Sequence, residues 1–165
     1  MIQRIQSVYL FLAFICSALL LKFPIYKLTM NINNEEVLAT FGKNGLVNES
    51  GGGSSFPFYL LFISMAMFSI LAFFLFKNRK KQLLIARLNL LLNGLVLISF
   101  FVFSLFGKSQ LIKKVSEMGA NLTDIEFNYG LGYYLLFMAI PFIVLAIRGI
   151  RRDENLIKSL ENQSG

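Results

Sequence analysis

The sequence predicts an all-α membrane protein, with four transmembrane helices and a small outward-facing β-hairpin or sheet. Three observations predict it. Of the 165 residues, 56% are hydrophobic, more than soluble domains usually contain. Four stretches carry no charge: Ile5 to Leu21, Ser50 to Phe76, Leu88 to Gly107 and Phe127 to Ile147. After the first stretch, apolar and polar residues alternate, which is the period of a strand.

A helix rises about 1.5 Å per residue and needs about 20 apolar residues to cross about 30 Å of hydrocarbon. The charge-free stretches therefore predict spans at about 5–21, 56–76, 83–106 and 129–147 of one membrane domain, 1–165. The first follows Arg4 and resembles the start of a secretion signal. Cys16 and Ala18 offer a small-residue pair, but Leu19-Leu20-Leu21 carries the apolar run past it, so the segment is expected to stay as a helix.

Between the first two spans, Leu28, Met30 and Ile32 alternate with polar residues, as do Val37, Ala39 and Phe41. Asn33-Asn34 between them suits a hairpin turn, and Gly42 and Gly45 mark a second. "NESGGGSS" reads as a flexible lead into the second span. After the third span, Leu111, Ile112, Val115 and Met118 share a helical face, so that helix is expected to continue or bend onto the surface. "TDIEFN" alternates and is expected to add a strand. In the fourth span Pro141 predicts a kink, and Tyr129, Tyr133 and Tyr134 an interfacial belt.

Lys and Arg predict the orientation. Arg4, Lys77, Arg79, Lys80, Lys81, Arg87, Arg148, Arg151, Arg152 and Lys158 fall on one side, ten in all, against six on the other. Both termini, the 77–82 loop and the 148–165 tail are thus expected in the cytoplasm. Loops 22–55 and 108–128 are expected to face outward.

Composition narrows the chemistry. There is no His and a single Cys, so an intrachain disulfide, a multi-Cys or His zinc site and nucleophile–His catalysis are all excluded. No catalytic residue, metal or cofactor is expected. The net charge of +7 in so apolar a chain points to anionic lipid at Arg4, Lys77, Arg79, Lys80, Lys81, Arg148, Arg151 and Arg152, and not to nucleic acid. Asn89 and Asn93 are four apart within a span, which predicts an interhelical polar contact, or alternatively a polar cavity. Ile150, Ile157 and Leu160 share a face of the tail and predict docking of a membrane-protein partner, or packing back on the "KNRKK" loop.

Four helices with a β-bearing first outer loop resemble claudins in topology alone; the Trp-containing motif and Cys pair of claudins are missing. The two ends, "MIQRIQSVYLFLA" and "AIRGIRRDENLIKSL", are more specific. They are similar to a family of small four-helix membrane proteins of Bacteroidetes, known only as a domain of unknown function. The resemblance implies an inner-membrane location and a retained first helix, and it brings no catalytic residue. The expected function is a non-enzymatic accessory subunit or assembly factor of an envelope, protein-translocation or secretion complex. The alternative is a transporter-like protein handling a small molecule or lipid near Asn89 and Asn93.

Overall fold

The structure is a computed structural model that describes residues 2–32, 35–48, 53–55, 57–117 and 122–163. Helix α1 (Ile2–Leu19) leads into strands β1 (Tyr26–Ile32), β2 (Glu35–Gly42), β3 (Gly45–Asn48) and β4 (Gly53–Ser55). Helix α2 (Phe58–Phe74) and a single 3-10 turn (Leu75–Lys77) follow. Then come α3 (Arg79–Glu117), β5 (Leu122–Tyr129) and α4 (Leu131–Gln163).

Each helix packs on two others: α1 on α2 and α4, and α3 on α2 and α4. The four therefore close a ring. Its centre is narrow because each helix presents a fully buried alanine, namely Ala13, Ala72, Ala86 and Ala146. Small residues let backbones approach closely where helix packing rests on van der Waals contact. Leu10, Leu83, Ile143, Ile147 and Ile150 complete this core.

The sheet covers the other end of the ring. Its order is β4-β3-β2-β1-β5, and every neighbouring pair is antiparallel. The register Tyr26↔Phe41, Leu28↔Ala39 and Leu28↔Phe127 puts the apolar alternates on one face. That face packs on Phe62, Met65, Val96, Phe100 and Leu136 of α2, α3 and α4. Tyr26 sits at the junction. Its hydroxyl donates to the Phe100 carbonyl at 2.8 Å, and its ring meets Phe41, Phe100, Phe127, Tyr129 and Tyr133. Burial, reinforced by Tyr133, pushes this phenol well above its ordinary pKa, so it stays neutral and keeps donating.

The sheet also supplies acceptors to helix starts, whose first N–H groups have no partner within the helix. The Tyr59 amide of α2 donates to the Lys43 carbonyl at 2.8 Å, in the turn between β2 and β3. Ahead of α4 and in its first turn, Gly130 N–H donates to Ile25 O at 2.8 Å and Gly132 N–H to Pro24 O at 3.0 Å. Only glycine allows this approach. A Cβ on Gly130 would collide with the Pro24 carbonyl oxygen, and one on Gly132 would lie 2.8 Å from the carbonyl oxygens of Phe23 and Pro24.

Several expectations need correction. Among the described residues, three helical segments are long and apolar enough to cross a membrane: Phe58–Lys77, Arg79–Gly107 and Leu131–Ile157. The described apolar part of the first helix, Ile5–Leu19, is shorter than these. Helices 3 and 4 overrun the expected 83–106 and 129–147. A helix ends where its backbone hydrogen bonds end, not where its apolar run does, and "KSQLIKKVSE" and "RRDENLIKSLENQ" are rich in helix-favouring residues. The 77–82 loop accordingly shrinks to Asn78, whose Oδ1 caps α3 by accepting from Lys81 N–H at 3.3 Å. Helix α4 continues on both sides of Pro141, which a kink allows. Gly53–Ser55, expected as linker, pairs with β3. The Asn33-Asn34 turn and Glu49 to Gly52 lie outside the described residues, while Ile32↔Glu35 pair on either side of the first of these.

The glycine contacts generate a test. Gly132→Val is expected to lower thermal stability by about 1–3 kcal/mol through overpacking against the Phe23-Pro24 carbonyls. Gly94→Ala, at a helical site where a Cβ would meet no atom within 4 Å, is expected to leave it unchanged or raise it by up to about 1 kcal/mol. Unfolding monitored by circular dichroism in mild detergent checks both.

Candidate functional site

The most concentrated polar chemistry lies at the end of the ring away from the sheet. Gln6 of α1, Arg79 of α3 and Asp153 of α4 form a closed triangle. The Gln6 amide Nε2 donates to Asp153 Oδ2 at 2.6 Å. Arg79 Nη1 donates to Gln6 Oε1 at 3.2 Å and lies 3.5 Å from Asp153 Oδ2. The arrangement suits a carboxamide, which carries a donor and an acceptor on one rigid group and so answers a carboxylate and a guanidinium together. Asp153 is 7% exposed and Gln6 2%, so the contacts form largely out of water.

Local sequence explains how three distant side chains meet. Gly149 lies one helical turn before Asp153 on the same face of α4. A Cβ there would come within 2.6 Å of Gln6 Cγ, so the glycine leaves room for the amide to lie across α4. Asn78 starts α3 one residue before Arg79, which places the guanidinium at the helix mouth. Beneath this triangle, Gln82 Nε2 donates to the Ala72 carbonyl near the end of α2 at 3.0 Å.

The asparagines form a second polar layer deeper in the ring. Asn89 Nδ2 donates to Ser69 Oγ at 2.7 Å, joining α3 to α2. Asn93 Nδ2 donates to both the main-chain and side-chain oxygens of Asn89 at 2.9 Å. Both residues are fully buried, and Asn93 Oδ1 and Gln82 Oε1 lack a hydrogen-bond partner. Cys16 is buried as well.

Other anticipated residues scatter. Lys77, Lys80 and Lys81 are exposed around the start of α3, whereas Arg79 between them folds inward. Arg148, Arg151 and Arg152 are exposed on α4 and line a groove with Asn155 and Leu156. The side chains of Arg4 and Leu160 lie outside the described residues. Ile150 was expected to dock a partner, but it is 0% exposed and packs in the ring core, so it is not free to do so; Ile157 is 44% exposed. Sequence reasoning missed Gln6, Gly149 and Asp153. The available signal was an acidic pair, Asp153-Glu154, directly after a basic run, with its first member four residues beyond a glycine. Among the described residues, no group of three or more His, Cys, Asp or Glu side chains is placed to hold a metal.

Gln6, Gly149 and Asp153 all fall in the two terminal segments that are most distinctive in the sequence. The chain matches the family described as Domain of unknown function (DUF4293) over residues 2–161, and it belongs to that family. No curated protein matches it.

Removing one member of a buried ion pair strands the other charge, which costs about 3–5 kcal/mol where burial is complete. Arg79 keeps some solvent contact, so the lower end applies here. Asp153→Asn and Gly149→Leu are each expected to lower the unfolding midpoint by several degrees in detergent. Lys80→Gln, one residue from Arg79 but exposed, is expected to leave it unchanged.

Proposed function

For this member of a family of unknown function, we propose an integral protein of the bacterial inner membrane, with all four helices crossing it and both termini in the cytoplasm. The observation that carries the reading is the outer surface of the ring. Ile5, Val8, Phe11 and Ile15 of α1 are exposed, as are Leu60, Ile63, Met67 and Leu71 of α2. So are Leu88, Leu91, Leu95 and Ile98 of α3, and Phe137, Met138 and Leu145 of α4. Polar groups are turned inward and apolar ones outward, the arrangement a hydrocarbon solvent favours. Helix α1 takes part because its apolar outer face continues the belt and its inner face is bound to α4 and α2.

Within that membrane the chain acts as a non-enzymatic accessory subunit or assembly factor of an envelope, protein-translocation or secretion complex. Its interior polar groups are engaged mainly with one another and with backbone carbonyls, which is structural work. Its partner-facing surfaces are the outer sheet and the exposed end of α4 around Ile157. The unpaired Asn93 Oδ1 favours a second reading, a small polar cavity that handles a small molecule or lipid. Loss of function in an Asn89→Ala plus Asn93→Ala protein of normal abundance and fold would support that second reading.

Two measurements test the proposal. A reporter active only in the periplasm is expected to work when fused at Asn44 or Ala120 and to fail at Lys80 or after Gly165; activity at Lys80 overturns the orientation. Gentle purification of the tagged protein is expected to bring a partner with it. Ile157→Asp plus Leu160→Asp is expected to reduce that partner while leaving insertion intact.

A further inference from the structure

Helix α4 carries a basic surface that the bundle does not use. Arg148, Arg151, Arg152 and Asn155 recur at helical spacing on one face, turned away from Ile150 and Asp153, which face the core. With Leu156 they line an open groove of about 440 Å³. Among the described residues, none of these three guanidinium groups forms an ion pair with a carboxylate. Arg79, at the same end of the ring, is folded onto Asp153.

Three like charges so close together repel one another unless an anion lies between them. Lysine satisfies the positive-inside rule as well as arginine does, and the neighbouring segment has Lys77, Lys80 and Lys81. Arginine adds a planar fork of donors that matches two oxygens of a phosphate at once. Asn155 adds a further donor. What lies beside the groove decides the kind of anion. Met138, Pro141 and Leu145 are exposed and fall at successive spacings of three or four residues, in line with Arg148 and Arg152. An apolar stripe thus runs directly into the arginine groove. The charge-free stretch ends at Ile147, one residue before Arg148, so the groove sits at headgroup depth in the proposed orientation.

We propose that this groove is a binding site for the phosphate headgroup of an anionic phospholipid of the phosphatidylglycerol type, drawn from the cytoplasmic leaflet. Its acyl chains lie along Met138, Pro141 and Leu145. The inference rests on the membrane reading, and the periplasmic reporter tests that reading separately.

The test uses the full-length protein in micelles containing phosphatidylglycerol and phosphatidylcholine in equal amounts, with retained lipids counted by native mass spectrometry. The wild type is expected to retain phosphatidylglycerol selectively. The Arg148→Gln, Arg151→Gln, Arg152→Gln variant is expected to lose at least about tenfold of that retention, the scale expected for several basic contacts near a membrane surface. The charge-matched Lys77→Gln, Lys80→Gln, Lys81→Gln variant is expected to stay near the wild type. The triple Arg→Lys variant keeps charge, so it serves if the Gln variant fails to fold; it is expected to retain less than the wild type. Wild-type retention by the Arg→Lys variant, or equal loss in the Lys→Gln variant, overturns the site in favour of diffuse charge. Displacement of the lipid by inorganic phosphate, beyond a chloride control of equal ionic strength, overturns the lipid as occupant in favour of a free anion.

Discussion

The Gln6–Arg79–Asp153 triangle is the constraint on which the arrangement of the chain depends. Helix α1 is the shortest apolar segment of the four, and its two ends are fastened by different means. At the sheet end its chain continues through Pro24 and Ile25, whose carbonyls accept hydrogen bonds from Gly132 and Gly130 at the start of α4. At the other end, among the described residues, a side-chain amide does the fastening. One glutamine bridges a cation on α3 and an anion on α4, so α1 is tied to both helices at this end in addition to its packing on α2 and α4. The strength of the arrangement comes from mutual satisfaction: each group is costly to bury by itself, and each removes that cost for the others.

The two ends of the molecule thus solve one problem in different ways. At the sheet end, backbone carbonyls cover the first amides of α2 and α4, and an aromatic cluster around Tyr26 fills the space between sheet and helices. At the opposite end there is no sheet, and polar side chains take over: Asn78 caps α3, Gln82 covers a carbonyl of α2, and the triangle ties α1 to α3 and α4. Between them the packing relies on alanines. The Arg79–Asp153 ion pair therefore lies at an end where headgroups and water would lie in the proposed orientation, and charge-free stretches fill the apolar middle.

Much of this was legible in the chain, for identifiable reasons. A charge-free run is a one-dimensional property, so the apolar segments stand out directly. Strand alternation likewise located β1, β2 and β5; one face of β1 and of β2 is buried against helices, and Phe127 of β5 packs on the same core. Helix ends were not legible. In α3 and α4 the backbone stays helical through charged residues, and hydropathy reports solvent rather than backbone geometry. Ile150 shows a related ambiguity. It shares a periodic face with Ile157, yet α4 leaves the ring between them, so the same face is core at one position and exposed at the other. The triangle was the least legible feature. Gln6 and Asp153 are 147 positions apart, and Arg79 is hidden among basic neighbours that do nothing similar. Its pairing depends on the ring, which no local pattern encodes.

The coupling between Arg79 and Asp153 tests this account most directly. Arg79→Met, Asp153→Leu and the double variant would be unfolded in the same bilayer mimic, and the interaction energy taken from the cycle. A coupling of about 1 kcal/mol or more, with the double variant more stable than the sum of the single losses implies, is the result expected of groups that neutralise each other out of water. Losses that simply add, within about 0.5 kcal/mol, would contradict it, and the closure of the ring around α1 would then rest on apolar packing alone.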